Sequence, residues 1–154
     1  MKAGQNLYNF TKISDELYKS GQPDLSLLYF LKENCQIKTI VNLRTKIENF
    51  EKDFVQNQGI YLLHIPLLFF LRNPKEKDIL RFLELFNDSQ KCPVLVHCRN
   101  GKDRTGMMVA LFRLLYQNWP IQKVLEEMKQ NRVNFYWKLS IQFRWKGLKN
   151  IWKS

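Results

Sequence analysis

Apolar residues along the chain follow two periods, and the two alternate. Short apolar or β-branched runs predict buried strands near Leu17 to Lys19, at "KTIVNL" (38–43), at "IYLLHI" (60–65) and at "PVLVHC" (93–98). Between them, apolar side chains recur three and four apart, the spacing of a helix with one buried face. Leu27, Leu28 and Leu31 mark the first such helix, Ile47, Phe50, Phe54 and Val55 the second, and Ile79, Phe82, Leu83 and Phe86 the third. Asp24 predicts an N-cap for a helix through about Asn34, and Thr45 one for the next, which Gly59 ends. Pro74 predicts a helix start. Two further helices are expected over about 104–117 and 120–130, the second opened by Pro120.

Strands separated by single helices make βα units. The expected fold is therefore α/β: a single compact domain with a central, mainly parallel sheet of four to five strands and helices on both faces. Right-handed crossovers gather the strand ends on one edge, where ligands of such sheets bind. The loop after Val96 lies on that edge.

Composition narrows the class. The 154 residues are 45% hydrophobic and 14% aromatic, which excludes a disordered chain and fits one domain over residues 1–154. Three cysteines, at 35, 92 and 98, are an odd number in a chain of this size and read as free thiols of a reducing compartment. The N-terminal residues carry no apolar signal-peptide core, and the longest apolar stretch, "IYLLHIPLLFFL", is broken by Pro66. A cytoplasmic protein is expected. A net charge of +11 favours anionic partners. No zinc-ligand spacing and no RNA-binding signature accompanies it, so neither a metal, a cofactor nor nucleic acid is expected.

The candidate chemistry sits between the last predicted strand and the helix after it, in "HCRNGKDRTG" (97–106). The free N–H groups at a helix start, with the helix dipole behind them, bind phosphate. Gly101 permits a turn that aims successive amides inward, the loop from Arg99 and Asn100 to Lys102 supplies those amides, and Arg104 offers a planar fork for two phosphate oxygens. Cys98 lies on the floor of this positive cup, where the reactive thiolate is favoured. A thiolate beneath a bound phosphate is a nucleophile aimed at phosphorus. The Thr105 hydroxyl can donate to the sulfur before attack and again when the sulfur leaves.

His97-Cys98, the glycine at position 101, and Arg104-Thr105-Gly106 resemble the H-C-x5-R-[ST]-G phosphate loop of the cysteine-dependent tyrosine and dual-specificity phosphatases. "NFTKISDELYKSGQP", "IKTIVNLR", "GIYLLHIPL" and "QNW" resemble, in order, segments of the atypical dual-specificity phosphatases of plants and fungi and their bacterial relatives, over roughly residues 9–130. The resemblance implies a phosphoric monoester hydrolase working through a phosphocysteine without metal. Its substrates would be phosphorylated protein or, alternatively, inositol phosphates, inositol pyrophosphates or phosphoinositides. It also implies that His97 supports the loop by a hydrogen bond to its backbone.

One feature departs from that pattern. Many such enzymes carry a general-acid aspartate on a mobile loop well before the cysteine, whereas "PLLFFLRNPKEKD" holds no acid until Glu76 and Asp78. Asp103 is the preferred candidate, because its "GxDRT" setting is similar to that of the myotubularin lipid phosphatases; Asp78 and Glu76 remain open. Lys102 either greets a second phosphate or tunes the loop. Arg44 borders the pocket or pairs with a carboxylate, and His64 reads as a locally satisfied strand-end residue. Pocket depth is expected to depend on Arg72, Asn73 and residues 131–138.

The tail, with six Lys or Arg and no acid from Asn131 onward, predicts a last helix over about 136–152. Its Trp137, Ile141, Trp145, Leu148 and Trp152 form an apolar stripe, expected to pack on the domain. Peripheral contact with an acidic membrane is the alternative. Two other classes use similar parts: a phosphate-binding module without turnover, and a rhodanese-type sulfurtransferase, which the Thr-Gly after Arg104 disfavours.

Overall fold

The β-branched runs pair as their pattern predicts. Strand β5 (Val94–His97) is buried throughout and lies at the centre of a five-stranded sheet, flanked in parallel by β2 (Leu17–Ser20) and β3 (Thr39–Asn42). Strand β4 (Tyr61–His64) extends the parallel ladder beyond β3, and β1 (Thr11–Lys12) closes the other edge antiparallel to β2. The computed structural model describes residues 8–68 and 74–153. The two-residue β1 is too short and too exposed to leave a mark in the hydrophobic pattern.

Alternate residues of each strand face opposite ways, so the sheet needs a cover on both sides. On one side Ile40 and Leu95 pack against Leu27, Leu28 and Leu31 of α1 (Leu25–Cys35) and Phe54 and Val55 of α2 (Asn49–Gln58). On the other, Leu17, Val41, Leu63 and Val96 meet four helices: α3 (Glu76–Glu84), α4 (Asp103–Leu111), α5 (Ile121–Gln130) and α6 (Phe135–Lys153). Each fully buried leucine or phenylalanine here removes enough apolar surface to contribute about 1.5–3 kcal/mol. α4 runs on into a π-helical turn at Phe112–Tyr116, which carries Phe112 and Leu115 into the same core.

Local sequence rules set most helix ends. The Asp24 carboxylate accepts the Leu27 N–H at 2.8 Å, the N-cap expected of it. Gly59 ends α2 with φ 65°, a left-handed conformation that glycine adopts without strain. Two boundaries correct the sequence reading. Thr45 caps nothing: α2 begins at Asn49, and Ile47 lies outside it. The Arg44 N–H instead bonds Asn42 Oδ1, and the Arg44 guanidinium spans to Glu48, so residues 43–48 are held as a loop. Pro74 lies outside α3, whose first turn closes on the Lys75 carbonyl through the Asp78 and Ile79 amides.

Helix α6 packs as its stripe predicts: Trp137, Ile141 and Leu148 are buried, with Trp145 and Trp152 partly buried against the same core. Its outer side carries exposed Phe135, Tyr136 and Phe143. Among the described residues no helix is long and apolar enough to cross a membrane.

Candidate active site

Parallel register places Ser20, His97 and Asn42 side by side at the carboxyl ends of β2, β5 and β3. The chain leaves His97, turns through residues 98–102 and enters α4 at Asp103. Cys98 is 2% exposed at the base of this turn. Its Sγ accepts two hydrogen bonds, from the Gly101 N–H at 3.2 Å and from Thr105 Oγ1 at 3.0 Å. Donors of this kind, aimed at one sulfur, stabilise negative charge on it.

The loop is clamped from outside by the turn after β2 and by Asn9, which precedes β1. The Gln22 N–H donates to the Arg99 carbonyl at 2.9 Å, and Asn9 Nδ2 donates to the Asn100 carbonyl at 2.7 Å. With those carbonyls tied outward, the Gly101 N–H faces the Cys98 sulfur. Gly101 has φ 69°, and a Cβ there would lie 2.4 Å from the Gly21 backbone nitrogen. Only glycine fits so close an approach.

The sequence candidates divide into those the loop gathers and those it does not. Gly101 and Thr105 converge on the Cys98 sulfur, and one guanidinium nitrogen of Arg104, in the first turn of α4, donates to the Leu67 carbonyl at 3.3 Å. Arg99, Asn100 and Lys102 carry exposed side chains, and their carbonyls accept from the Gln22 N–H, Asn9 Nδ2 and the Gly106 N–H in turn. Asp103 opens α4, and its Oδ1 accepts the Asn134 N–H at 2.7 Å, joining the loop to the start of α6. Asp78 lies in α3 and pairs with Arg81 at 3.4 Å, and Glu76 is exposed in the first turn of that helix. Arg44 pairs with Glu48 at 3.2 Å and with Gln22 Oε1 at 2.7 Å, the carboxylate alternative. His64 Nε2 meets the Arg44 carbonyl at 2.6 Å, a local bond. Arg72 and Asn73 lie outside the described residues.

Behind the loop stands a group the sequence reading missed. Glu51 is fully buried. One carboxylate oxygen lies 2.8 Å from His97 Nε2 and accepts Gln22 Nε2 at 3.0 Å; the other accepts Asn42 Nδ2 at 2.5 Å. His97 Nδ1 in turn lies 3.2 Å from the Cys98 carbonyl. Burial pushes the Glu51 carboxyl up, but the contact with His97 and the bonds from Asn42 and Gln22 outweigh it, and its pKa lies below the ordinary carboxylate value. A glutamate three and four residues before Phe54 and Val55, on their buried stripe, was the signal that could have found it.

The other thiols do not compete. Burial, with the charges of Glu16 and Asp88, pushes Cys92 up to about 11, and burial raises Cys35. All three cysteines are free. Among the described residues no cluster of His, Cys, Asp and Glu could hold a metal ion.

A buried thiol ringed by amide and hydroxyl donors, between a central parallel strand and a helix start, is the arrangement of a cysteine-dependent phosphatase. The chain belongs to the tyrosine phosphatase family, whose pattern matches residues 6–134. It is 32% identical over 126 residues to the inositol diphosphatase DSP5 of Arabidopsis thaliana, covering 79% of this chain and 61% of that protein. It is 28% identical over 122 residues to the dual specificity protein phosphatase TpbA of Pseudomonas aeruginosa, covering 79% and 53%. The chain thus spans little more than half the length of these curated relatives. The fold is that of the core catalytic domain of the PP-IP phosphatase SIW14 from S. cerevisiae, at TM-score 0.77 and 24% identity over 94% of each chain.

Proposed function

We propose that the protein hydrolyses phosphoric monoesters through a phosphocysteine on Cys98. The observation that carries this reading is the pair of donors on the Cys98 sulfur, Gly101 N–H and Thr105 Oγ1. The sulfur forms a bond to phosphorus as the bond from phosphorus to the ester oxygen breaks, while the loop amides and Arg104 hold the other oxygens. The departing oxygen takes a proton from Asp103. Water then attacks the phosphocysteine, giving its proton back to that carboxylate and releasing inorganic phosphate and the sulfur, which Thr105 steadies as it leaves. Arg99, Asn100, Gly101 and Lys102 form the rim that receives the phosphate, with His97 and Arg44 in support.

Rapid acid quenching of the protein with radiolabelled phenyl phosphate is expected to leave label on Cys98. Steady turnover with no cysteine-bound phosphate at any time would end this reading. A bound but unhydrolysed phosphate would favour a phosphate-binding module.

Asp103 binds the Asn134 N–H through one carboxylate oxygen, which leaves the other for the proton. Asp103→Asn keeps that bond and removes the proton. It is expected to slow alkyl phosphates by about 10²-fold or more. p-Nitrophenyl phosphate, whose phenolate departs unassisted, changes far less. The same selective loss in Asp78→Asn instead would move the role to α3.

A phosphorylated protein side chain is the leading substrate and an inositol phosphate or phosphoinositide the alternative; relatives named for both classes exist. The three free thiols fit the cytoplasm. Exposed Phe135, Tyr136 and Phe143, on a helix that also exposes Lys146 and Lys153, favour a peripheral contact of α6 with acidic membrane.

A further inference from the structure

Helix α6 has two faces that differ in kind. Trp137, Ile141 and Leu148 turn inward to the core. Phe135, Tyr136, Phe143, Lys146, Asn150 and Lys153 are exposed and recur three, four or seven apart, so they form one outer ridge. Its first half is aromatic and its second half basic. Phe135, Tyr136 and Phe143 are 66%, 72% and 82% exposed, the three most exposed large apolar side chains among the described residues. Single exposed apolar residues are ordinary, but three along one ridge make a patch that calls for a cover. A Cβ at Gly147, one turn after Phe143, would meet nothing within 4 Å, so the ridge is unobstructed there.

The charge on this helix has one sign. α6 carries Lys138, Arg144, Lys146, Lys149 and Lys153 and no acid. Lys138 lies over the Phe135 ring at 6.0 Å, and Lys146 and Lys149 each lie over the Trp145 ring at 5.5 Å. Rings beside lysines suit the headgroup layer of an anionic bilayer, where the rings reach the acyl boundary and the ammonium groups stay level with the lipid phosphates. A peptide helix or strand would need a groove or a sheet edge, and this face is a convex ridge. A second copy of the chain would bring a further net charge of +11 against the first.

The ridge begins at the phosphate loop. The Asn134 N–H, immediately before α6, donates to Asp103 Oδ1 at 2.7 Å. Phe135 follows after one Cα step of about 3.8 Å. Val133 packs on the helix that leaves the loop: a Cβ on Gly106 would lie 2.5 Å from Val133 Cγ2. Whatever seats Phe135 is thus held at a short, fixed distance from Asp103.

We propose that the outer ridge of α6 docks the protein on an anionic bilayer and so holds the phosphate loop beside phosphates presented at that surface. Phe135, Tyr136 and Phe143 enter the headgroup layer, and Lys146 and Lys153 face lipid phosphates. The docking stands by itself, and its effect on turnover rests on the phosphocysteine reading. Substrates are then favoured by where they are held, whatever group bears the phosphate, because docking raises their effective concentration at the loop.

The test is sedimentation with phosphatidylcholine vesicles, with and without phosphatidylserine. Binding is expected only with phosphatidylserine, and rising salt should weaken it. Phe143→Ser is expected to weaken partitioning by about tenfold. Lys146→Gln together with Lys153→Gln is expected to weaken it by about 10–30-fold, since each cation at an anionic surface contributes about fivefold. All three side chains are exposed on the ridge and outside the loop, so turnover of p-nitrophenyl phosphate in solution should not change. A phosphotyrosine peptide anchored to the vesicle by an acyl chain should be hydrolysed about tenfold faster than the free peptide, an advantage these variants lose.

Equal binding to both kinds of vesicle would overturn the docking face. So would an equal loss in Lys52→Gln, an exposed lysine on α2. Protein that binds no vesicle but forms a dimer dissociated by Phe143→Ser would give the ridge to a second copy, and would overturn it too. Vesicle-bound protein that hydrolyses anchored and free peptide alike would overturn the link to turnover. Sedimentation of Cys98→Ser keeps docking and catalysis apart. Were wild-type protein to turn over nothing, phosphatidylserine-dependent binding that Phe143→Ser weakens would still support the docking, and absence of that binding would overturn it.

Discussion

Replacing Cys98 with serine is expected to abolish turnover of an aryl phosphate while leaving the fold intact. The serine oxygen fits the same buried position and can accept the same bonds from Gly101 N–H and Thr105 Oγ1. Stability should therefore change by no more than about 1 kcal/mol. The chemistry does not survive. A hydroxyl is far from ionised near neutral pH, and no histidine stands ready as its base: His97 faces Glu51 and the Cys98 carbonyl, away from the nucleophile. Loss of a covalent nucleophile costs roughly 10⁴–10⁶-fold in turnover. Initial rates on p-nitrophenyl phosphate read the loss, and thermal melting reads the fold. Serine protein that retained a tenth of the rate would place the reaction elsewhere.

The elements that position this cysteine were legible because each rests on a local rule. "PVLVHC" is apolar without alternation, as a strand covered on both faces must be, and it is the central strand. Asp24, Gly59 and Pro120 mark helix ends through their own backbone or side-chain chemistry. Thr45 failed for an equally physical reason: capping needs a backbone free to turn, and the bonds of Arg44 to Asn42, Gln22 and Glu48 hold that segment as a loop.

Within the site, the part carried by contiguous sequence was readable and the part assembled across the sheet was not. Cys98 and Gly101 lie in one short loop, and Arg104 and Thr105 in the first turn of the helix that follows it, so eight contiguous residues hold all four. Glu51, Gln22 and Asn42 come from three separate elements and meet His97 only after β3 and β5 pair. Lys19 looks, in sequence, like one more cation of a basic chain. In the fold it is 7% exposed and lines one cavity with Thr11 of β1, Gly101 of the phosphate loop and Arg132 of the α5–α6 junction.

That cross-sheet group makes the second strong expectation, a large loss of stability in Glu51→Ala. The carboxylate is fully buried and holds three partners, so its removal leaves Asn42 Nδ2, Gln22 Nε2 and the His97 ring facing an empty site. Breaking a buried charged cluster from one side costs about 3–5 kcal/mol, a large share of the 5–15 kcal/mol that holds a domain together. A fall in Tm of roughly 10 °C is expected for a chain of this size. Phosphatase activity at a permissive temperature should drop as well, because His97 leads directly into the Cys98 loop. Glu51→Gln, which keeps the shape and an acceptor but not the charge, should fall between the two. The pH dependence distinguishes charge from packing. The folded-state pKa of Glu51 lies below its unfolded value of about 4.3, so its contribution is fully present above that value and disappears as pH falls through the lower, folded one. Wild-type protein should therefore lose stability on acidification over that window, and Glu51→Gln should lose less there. Equal acid sensitivity in the two proteins would show that the ionised carboxylate contributes nothing, and that Glu51 serves only to fill space behind His97.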